Sequence, residues 1–149
     1  MRPTQEETLM RMAETVALRS TCDRLNVGCI IARDARVIST GYNGNVSGQE
    51  HCKHNVANKV GIKPCTTAVH AEANALVFAA RHGVAVHEND LWTTHQPCLD
   101  CAKLIINAGI WRVYYKNPYR LTEGLDLLLD VGLSVYLVRE DYSTFKVTQ

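Results

Sequence analysis

The sequence predicts an α/β fold of three layers, with helices on both faces of a mixed five-stranded sheet. Two observations carry this expectation. Some segments repeat apolar residues at helical spacing, and others are short runs rich in Val and Ile, in the order α-β-β-α-β-α-β-α-β. Helical crossovers follow the third and fourth strands, and such connections demand parallel, right-handed neighbours. At 149 residues the chain is most simply one domain, 1–149, long enough to bury a core without crosslinks.

Each element has a local cause. Residues 4–21 read as an amphipathic helix: Leu9, Met12, Ala13, Val16 and Ala17 recur at three- and four-residue steps. Thr4 with Glu7 has the form of a capping box. Val27 to Ala32 reads as a buried strand, and Arg33-Asp34-Ala35-Arg36 turns it into a hairpin with Val37 to Tyr42. Cys29, inside the first strand, is expected to be a small core residue. Periodicity then disappears from Asn43 to Val69, 27 residues that include Gly44, Gly48, Gly61 and Pro64. A loop of that length is usually functional or tied down. His70 to His82 is alanine-rich and helical, ending at Gly83. Leu91 to Thr94 is a strand, Cys98 to Ala108 a helix closed by Gly109, and Trp111 to Tyr115 a strand. Thr122 to Val131 is a helix with Leu125, Leu128 and Leu129 facing inward, ended by Gly132; Leu133 to Val138 is the last strand.

Composition narrows the function classes. The charged fraction is 21% and the hydrophobic fraction 46%, as in an ordinary soluble globule. The net charge is +1 and no basic block stands out, which argues against a polynucleotide partner. No apolar run is long enough to cross a bilayer, and the polar start Met-Arg-Pro-Thr-Gln-Glu-Glu-Thr has no signal-peptide core. A cytoplasmic location is expected, where six cysteines read as thiols and metal ligands rather than a disulfide framework.

Two short pieces carry the chemistry: His70-Ala71-Glu72 and Pro97-Cys98-Leu99-Asp100-Cys101. A catalytic zinc takes three protein ligands and keeps a fourth position for water. His70, Cys98 and Cys101 supply one imidazole and two thiolates. The cysteines are three apart, so at a helix start both sulfurs lie on one face. Pro97 fixes the entry, and the positive end of the helix favours thiolates. Glu72, two residues past the histidine, can reach the metal's water without ligating the metal. A structural zinc site would supply a fourth ligand and has no use for Glu72. The combined pattern, H-x-E followed by P-C-x-x-C, is the signature of zinc-dependent nucleobase deaminases, in which the glutamate is general base and acid.

A second set of ligand types lies elsewhere. Cys22, Cys52, Cys65 and one histidine would make a closed structural zinc site tying the long loop to the first helix. His54 is the expected fourth ligand: Cys52-Lys53-His54 is a short chelate, whereas His51 adjoins Cys52 and would need a tight backbone. Unrelated thiols in a reducing compartment are the alternative.

Further segments appear in order with the metal motif: Arg19-Ser20-Thr21-Cys22, Val27-Gly28, Ser39-Thr40-Gly41-Tyr42-Asn43-Gly44, Cys101-Ala102-Lys103, Ile105-Ile106-Asn107-Ala108-Gly109-Ile110 and Tyr119. Over residues 9–119 the set resembles deoxycytidylate deaminases. The resemblance implies the cytidine deaminase-like fold and hydrolysis of dCMP to dUMP and ammonia, feeding dTMP synthesis. It also implies a homo-oligomer, a hexamer, activated by dCTP and inhibited by dTTP. It makes Asn43 a deoxyribose contact, although Asn-Gly is also a common turn. Val27 and Ala71 join Asn43 on the substrate side. Arg24, Asn26 and Tyr119 are candidates for ribose and phosphate, since a dianion wants Arg and hydroxyl donors; Arg24 also fits a solvated surface charge. His95 is a candidate for the pocket wall or for a structural histidine. Two positions depart from the family's habit. Ala73 stands where a larger residue often follows the glutamate, and Val46 stands where Pro often follows Gly-Tyr-Asn-Gly by two. Both bear on the substrate side, including a substituent on the pyrimidine ring; neither touches the zinc ligands.

The long loop starts beside Asn43, and Gly44 and Gly48 would let its backbone approach a triphosphate. Phe78 and Arg81 share a face of their helix and suit a subunit contact, though Arg81 also fits a solvated charge. Rival readings are a deaminase of dCTP, deoxycytidine or tRNA adenosine, and a non-catalytic zinc-binding interaction module such as a competence-associated protein. Glu72 separates the last from all the others.

Overall fold

In the computed structural model, residues 1–54 and 65–149 are described. Gly61 and Pro64, part of the long loop, lie outside them. Helix α1 spans Gln5–Ala17. Strands β1 (Gly28–Arg33) and β2 (Arg36–Tyr42) form a hairpin. The short strands β3 (Gly44–Asn45) and β4 (Ala68–Val69) pair with each other. Then come α2 (Ala71–Arg81), β5 (Asp90–His95), α3 (Leu99–Asn107), β6 (Arg112–Asn117), α4 (Glu123–Asp130), β7 (Ser134–Val138) and β8 (Thr144–Val147).

The main sheet runs β2-β1-β5-β6-β7-β8. The pairs β5/β6 and β6/β7 are parallel and the others antiparallel, as the two helical crossovers require. The sheet therefore has six strands, not five. The sixth, β8, turns back beside β7 through a tight turn with Tyr142 at φ +62°. Three of its four residues are exposed, and Thr-Phe-Lys-Val, although it alternates, is too short a run to be told from a loop by that alternation alone.

Side chains alternate across the sheet and divide the core. Cys29, Ile31, Leu91, Val113 and Tyr115 face α2, α3 and α4. Ile30, Ala32, Trp92 and Tyr114 face α1. Successive right-handed crossovers in one direction put α3 and α4 on the same face. The layering is thus three helices against one.

Local causes account for the element ends. Thr4 Oγ1 accepts from the Glu7 amide at 3.1 Å, while the Glu7 carboxylate pairs with Arg11 at 2.8 Å. Helix α1 stops at Ala17, four residues earlier than its periodicity suggests. The Ser20 hydroxyl donates to Asn43 Oδ1 at 2.7 Å, which draws residues 18–27 across to the end of β2. On α1 it is Met10 that is buried; Met12 is 45% exposed. The β1–β2 turn has positive φ at both central residues, Asp34 and Ala35, the backbone of a type I′ hairpin. At the base of the long loop, Gly44 pairs with Val69 and Asn45 with Ala68. The loop is therefore closed by a two-residue ladder immediately before His70.

Candidate active site and metal centres

Two helix starts meet at the C-terminal end of β5. His70 is the N-cap of α2 and Cys98 the N-cap of α3, with Cys101 in the first turn of α3. Neither cap side chain bonds its own helix, so both point to the same place. His70 Nδ1 lies 3.3 Å from Cys98 Sγ and 3.5 Å from Cys101 Sγ. A tetrahedral zinc with ordinary Zn–N and Zn–S bonds separates such atoms by about 3.5 Å, so the three donors fit that ion. The set closes at three among the described residues, with Glu72 outside it. His70 is exposed and Cys101 buried, which leaves one open side.

Close packing holds the two helix starts. Gly41 of β2 runs so near Ala71 and Ala75 that a β-carbon there would overlap the α2 backbone. Gly124, in the first turn of α4, supports the other ligand loop. A β-carbon on it would lie 2.5 Å from the Pro97 carbonyl oxygen and 2.6 Å from the Cys98 carbonyl carbon. Gln96 is buried and bridges outward: Oε1 accepts from the Tyr119 amide at 3.2 Å, and Nε2 donates to the Leu121 carbonyl at 2.9 Å.

The electrostatics suit a metal and a proton carrier. A hydrogen bond from Cys101 draws the Cys98 thiol down to about 3, and the Cys101 thiol is raised by the same bond. Hydrogen bonding to Cys98 raises His70. Glu72 is 4% exposed and lies against the Cys101 sulfur. Burial raises its carboxyl above the usual range, in the direction that suits a group exchanging a proton near neutrality. Thr93 Oγ1 donates to Glu72 Oε1 at 3.2 Å. Burial lowers His95, which is therefore neutral at pH 7. The Thr94 hydroxyl accepts from the Gly28 amide at 3.1 Å and lies 2.9 Å from His95 Nδ1.

The second set also comes together. Cys22 Sγ, Cys52 Sγ, a His54 ring nitrogen and Cys65 Sγ all lie within 4.8 Å of one another, and His51 is not among them. Cys22 Sγ is 3.5 Å from His54 Nε2. Cys22 and Cys52 are buried. Burial pushes Cys52 up to about 12. Cys65 is also raised by burial, but hydrogen bonds from Thr67 and the Ala68 amide prevail and bring it to about 6. Four closed N/S donors are the chemistry of a structural zinc site.

The substrate-side candidates are placed as follows. Asn43 is buried and its amide is largely engaged: Oδ1 accepts from Ser20 Oγ and from the Val27 amide at 2.8 Å, and Nδ2 donates to the Leu25 carbonyl at 2.7 Å. The second N–H of that amide meets no partner among the described residues, so Asn43 shapes the turn and retains a single donor. The same bonds hold Val27 beside Asn43. Ala71 is fully buried behind His70. Arg24 is half-buried, Asn26 exposed, and Tyr119 exposed at the loop that Gln96 fixes. Gly44 is buried in the β3–β4 ladder. Phe78 and Arg81 are exposed on α2, with the Phe78 ring tilted 35° against that of His82 at 4.2 Å between centroids. Sequence reasoning missed Thr93, Gln96, Gly41 and Gly124. Gln96, adjacent to Pro97, was the one with a positional signal.

The model of the cytidine and deoxycytidylate deaminase zinc-binding region matches residues 3–117. The chain belongs to that family. Among solved structures, this deaminase-family chain is similar to a dCMP deaminase from cyanophage S-TIM5 in complex with dCMP and dUMP. The TM-score is 0.82 at 36% identity, covering 92% of this chain and 98% of the phage chain. It is 40% identical over 133 residues to ComE operon protein 2 of Bacillus subtilis, covering 89% of this chain and 70% of that protein. It is 30% identical to the deoxycytidylate deaminase of Enterobacteria phage T2, covering 88% of this chain and 90% of the phage protein. The chain has the cytidine deaminase-like fold and is a deaminase of this hydrolase family. No helix among the described residues is long and apolar enough to cross a membrane.

Proposed function

We propose that this chain hydrolyses dCMP to dUMP and ammonia, with a catalytic zinc held by His70, Cys98 and Cys101. The observation that carries the reading is Glu72, a buried carboxylate beside a three-donor set but outside it. A bound zinc would supply a water acidified enough to attack at neutral pH. Glu72 takes a proton from the attacking water and delivers it to the ring nitrogen. It then takes the second proton, from the hydroxyl now on the ring carbon, and gives it to the departing amino group; the carbon–nitrogen bond breaks, the water's oxygen remains as the carbonyl and ammonia leaves. The α2 and α3 starts hold these groups while Ala71, Val27 and Asn43 border the nucleoside, Asn43 through its remaining N–H. Arg24, Asn26 and Tyr119 serve the sugar and phosphate.

A second zinc belongs to Cys22, Cys52, His54 and Cys65. The functioning form is a cytoplasmic homo-hexamer using Phe78 and Arg81 at a subunit contact. The loop that begins at Gly44 carries dCTP activation and dTTP inhibition. The relatives named as dCMP deaminases support the substrate, and the balanced charge of the chain argues against tRNA. The name of the Bacillus subtilis relative leaves a zinc-binding interaction module as the rival, and Glu72 speaks against it. Ammonia release from dCMP, dCTP, deoxycytidine and cytidine separates these readings. The highest specificity constant is expected for dCMP; equal constants for dCMP and deoxycytidine would make it a nucleoside deaminase instead.

A further inference from the structure

Thr93 lies on β5, on the same face of the sheet as Leu91 and toward α2, and its side chain is fully buried. A buried hydroxyl needs a partner, and the single proton of this one is shared between two acceptors. Oγ1 is 3.2 Å from Glu72 Oε1 and 3.1 Å from the carbonyl oxygen of His95. The second contact ties the hydroxyl to the backbone that leads directly into Gln96-Pro97-Cys98. A β-branched side chain is stiff about χ1, so the oxygen has little freedom to leave. Cys29 stands opposite Thr93 in the β1–β5 register and offers Glu72 no strong donor. Among the described residues, the side-chain hydrogen bond from the sheet to the Glu72 carboxylate comes from Thr93.

From this geometry we infer that Thr93 is a positioning residue for Glu72. Its hydroxyl fixes one carboxylate oxygen so that the other faces the open side of the His70-Cys98-Cys101 set. The inference rests on Glu72 being the proton carrier of the proposed reaction. Catalysis by a proton carrier depends on its being held within a narrow geometry before the substrate arrives. Thr93 does this from a rigid central strand shared with the entry to the ligand loop. Valine has the same shape without the hydroxyl, and would leave a buried carboxylate oxygen without its donor.

The test compares wild type, Thr93→Val and Thr93→Ser as zinc-loaded full chains. Each is assayed for kcat and KM with the nucleotide that wild type deaminates best, for zinc content and melting temperature, and by a high-resolution crystal structure of the Glu72 carboxylate. Thr93→Val is expected to lose roughly 10- to 100-fold in kcat with KM and zinc content little changed and the melting temperature lowered by several degrees. Its Glu72 carboxylate should be rotated or split, and Thr93→Ser should restore both the single orientation and most of kcat. An unmoved carboxylate in Thr93→Val would overturn the inference, as would a serine variant no better than valine. The crystallographic arm stands even if dCMP is not the substrate, so failure of the substrate reading and failure of Thr93 remain distinguishable.

Discussion

At the scale of single residues, the ligand loop depends on an absence. Gly124 has no side chain where α4 crosses Pro97 and Cys98, and the nearest backbone atoms would sit 2.5 and 2.6 Å from a β-carbon. Alanine in place of a helical glycine ordinarily stabilises by about 0.5–1 kcal/mol. Here the sign reverses, because the clash is with backbone that carries a metal ligand. Gly124→Ala is expected to melt at lower temperature and to bind zinc less tightly at the catalytic site, checked by thermal denaturation and zinc titration. A variant more stable than wild type with unchanged zinc affinity would show that the loop yields without consequence. Nothing in sequence marks Gly124, since its neighbours are on a different segment. The gathering of Cys98 and Cys101 was legible for the opposite reason: their three-residue spacing is set by the one helix start that holds them. Thr93 was illegible because Leu91-Trp92-Thr93-Thr94 reads as an apolar strand, and which threonine faces α2 depends on the sheet register.

At the scale of elements, the β3–β4 ladder joins three things that sequence leaves far apart. Gly44 follows Asn43, Val69 precedes His70, and the loop between them carries Cys52 and Cys65. Two-residue strands are too short to leave a periodic trace, so the ladder was not predictable. The gathering of Cys22, Cys52, His54 and Cys65 was, because cysteine and histidine mark it chemically, although Cys22 lies on the segment after α1 and not on the helix. Helix α1 ended early for a reason outside the helix, the Ser20–Asn43 bond. The expected consequence of the second cluster is two zincs per chain by metal analysis. Cys22→Ser or Cys65→Ser should leave one zinc and lower the melting temperature by roughly 10 °C or more, since a structural zinc contributes on the order of 10 kcal/mol. One zinc per wild-type chain, unaffected by either substitution, would remove the structural site.

At the scale of the molecule, the two parallel crossovers were legible because helix and strand periods alternate strictly from residue 70 to 138. The sixth strand was not, since β8 is only four residues long, mostly exposed, and sets Val147 alone against the core. Assembly and control belong to this scale. Phe78 and Val77 are 50% and 62% exposed on α2, a helix whose first turn carries Glu72. A subunit packed on that helix would couple neighbouring sites, and an effector acts only by binding one state better than another, typically by about 1–3 kcal/mol. Light scattering is expected to give the mass of a hexamer, with dCMP saturation shifted to lower concentration by dCTP and to higher by dTTP. A monomer with hyperbolic curves indifferent to both nucleotides would refute the regulatory reading.

The central claim is that the molecule's packing presents one buried carboxylate as a proton carrier beside a three-donor zinc site. Glu72→Gln keeps the volume and loses the exchangeable acid, and such groups typically contribute about a hundred- to ten-thousand-fold. The deciding measurement is ammonia release from dCMP by zinc-loaded wild type and Glu72→Gln side by side, with zinc content determined on the same samples. Wild type should release ammonia and the variant less than about a hundredth as much at equal zinc. Near-equal release by the two would contradict the account.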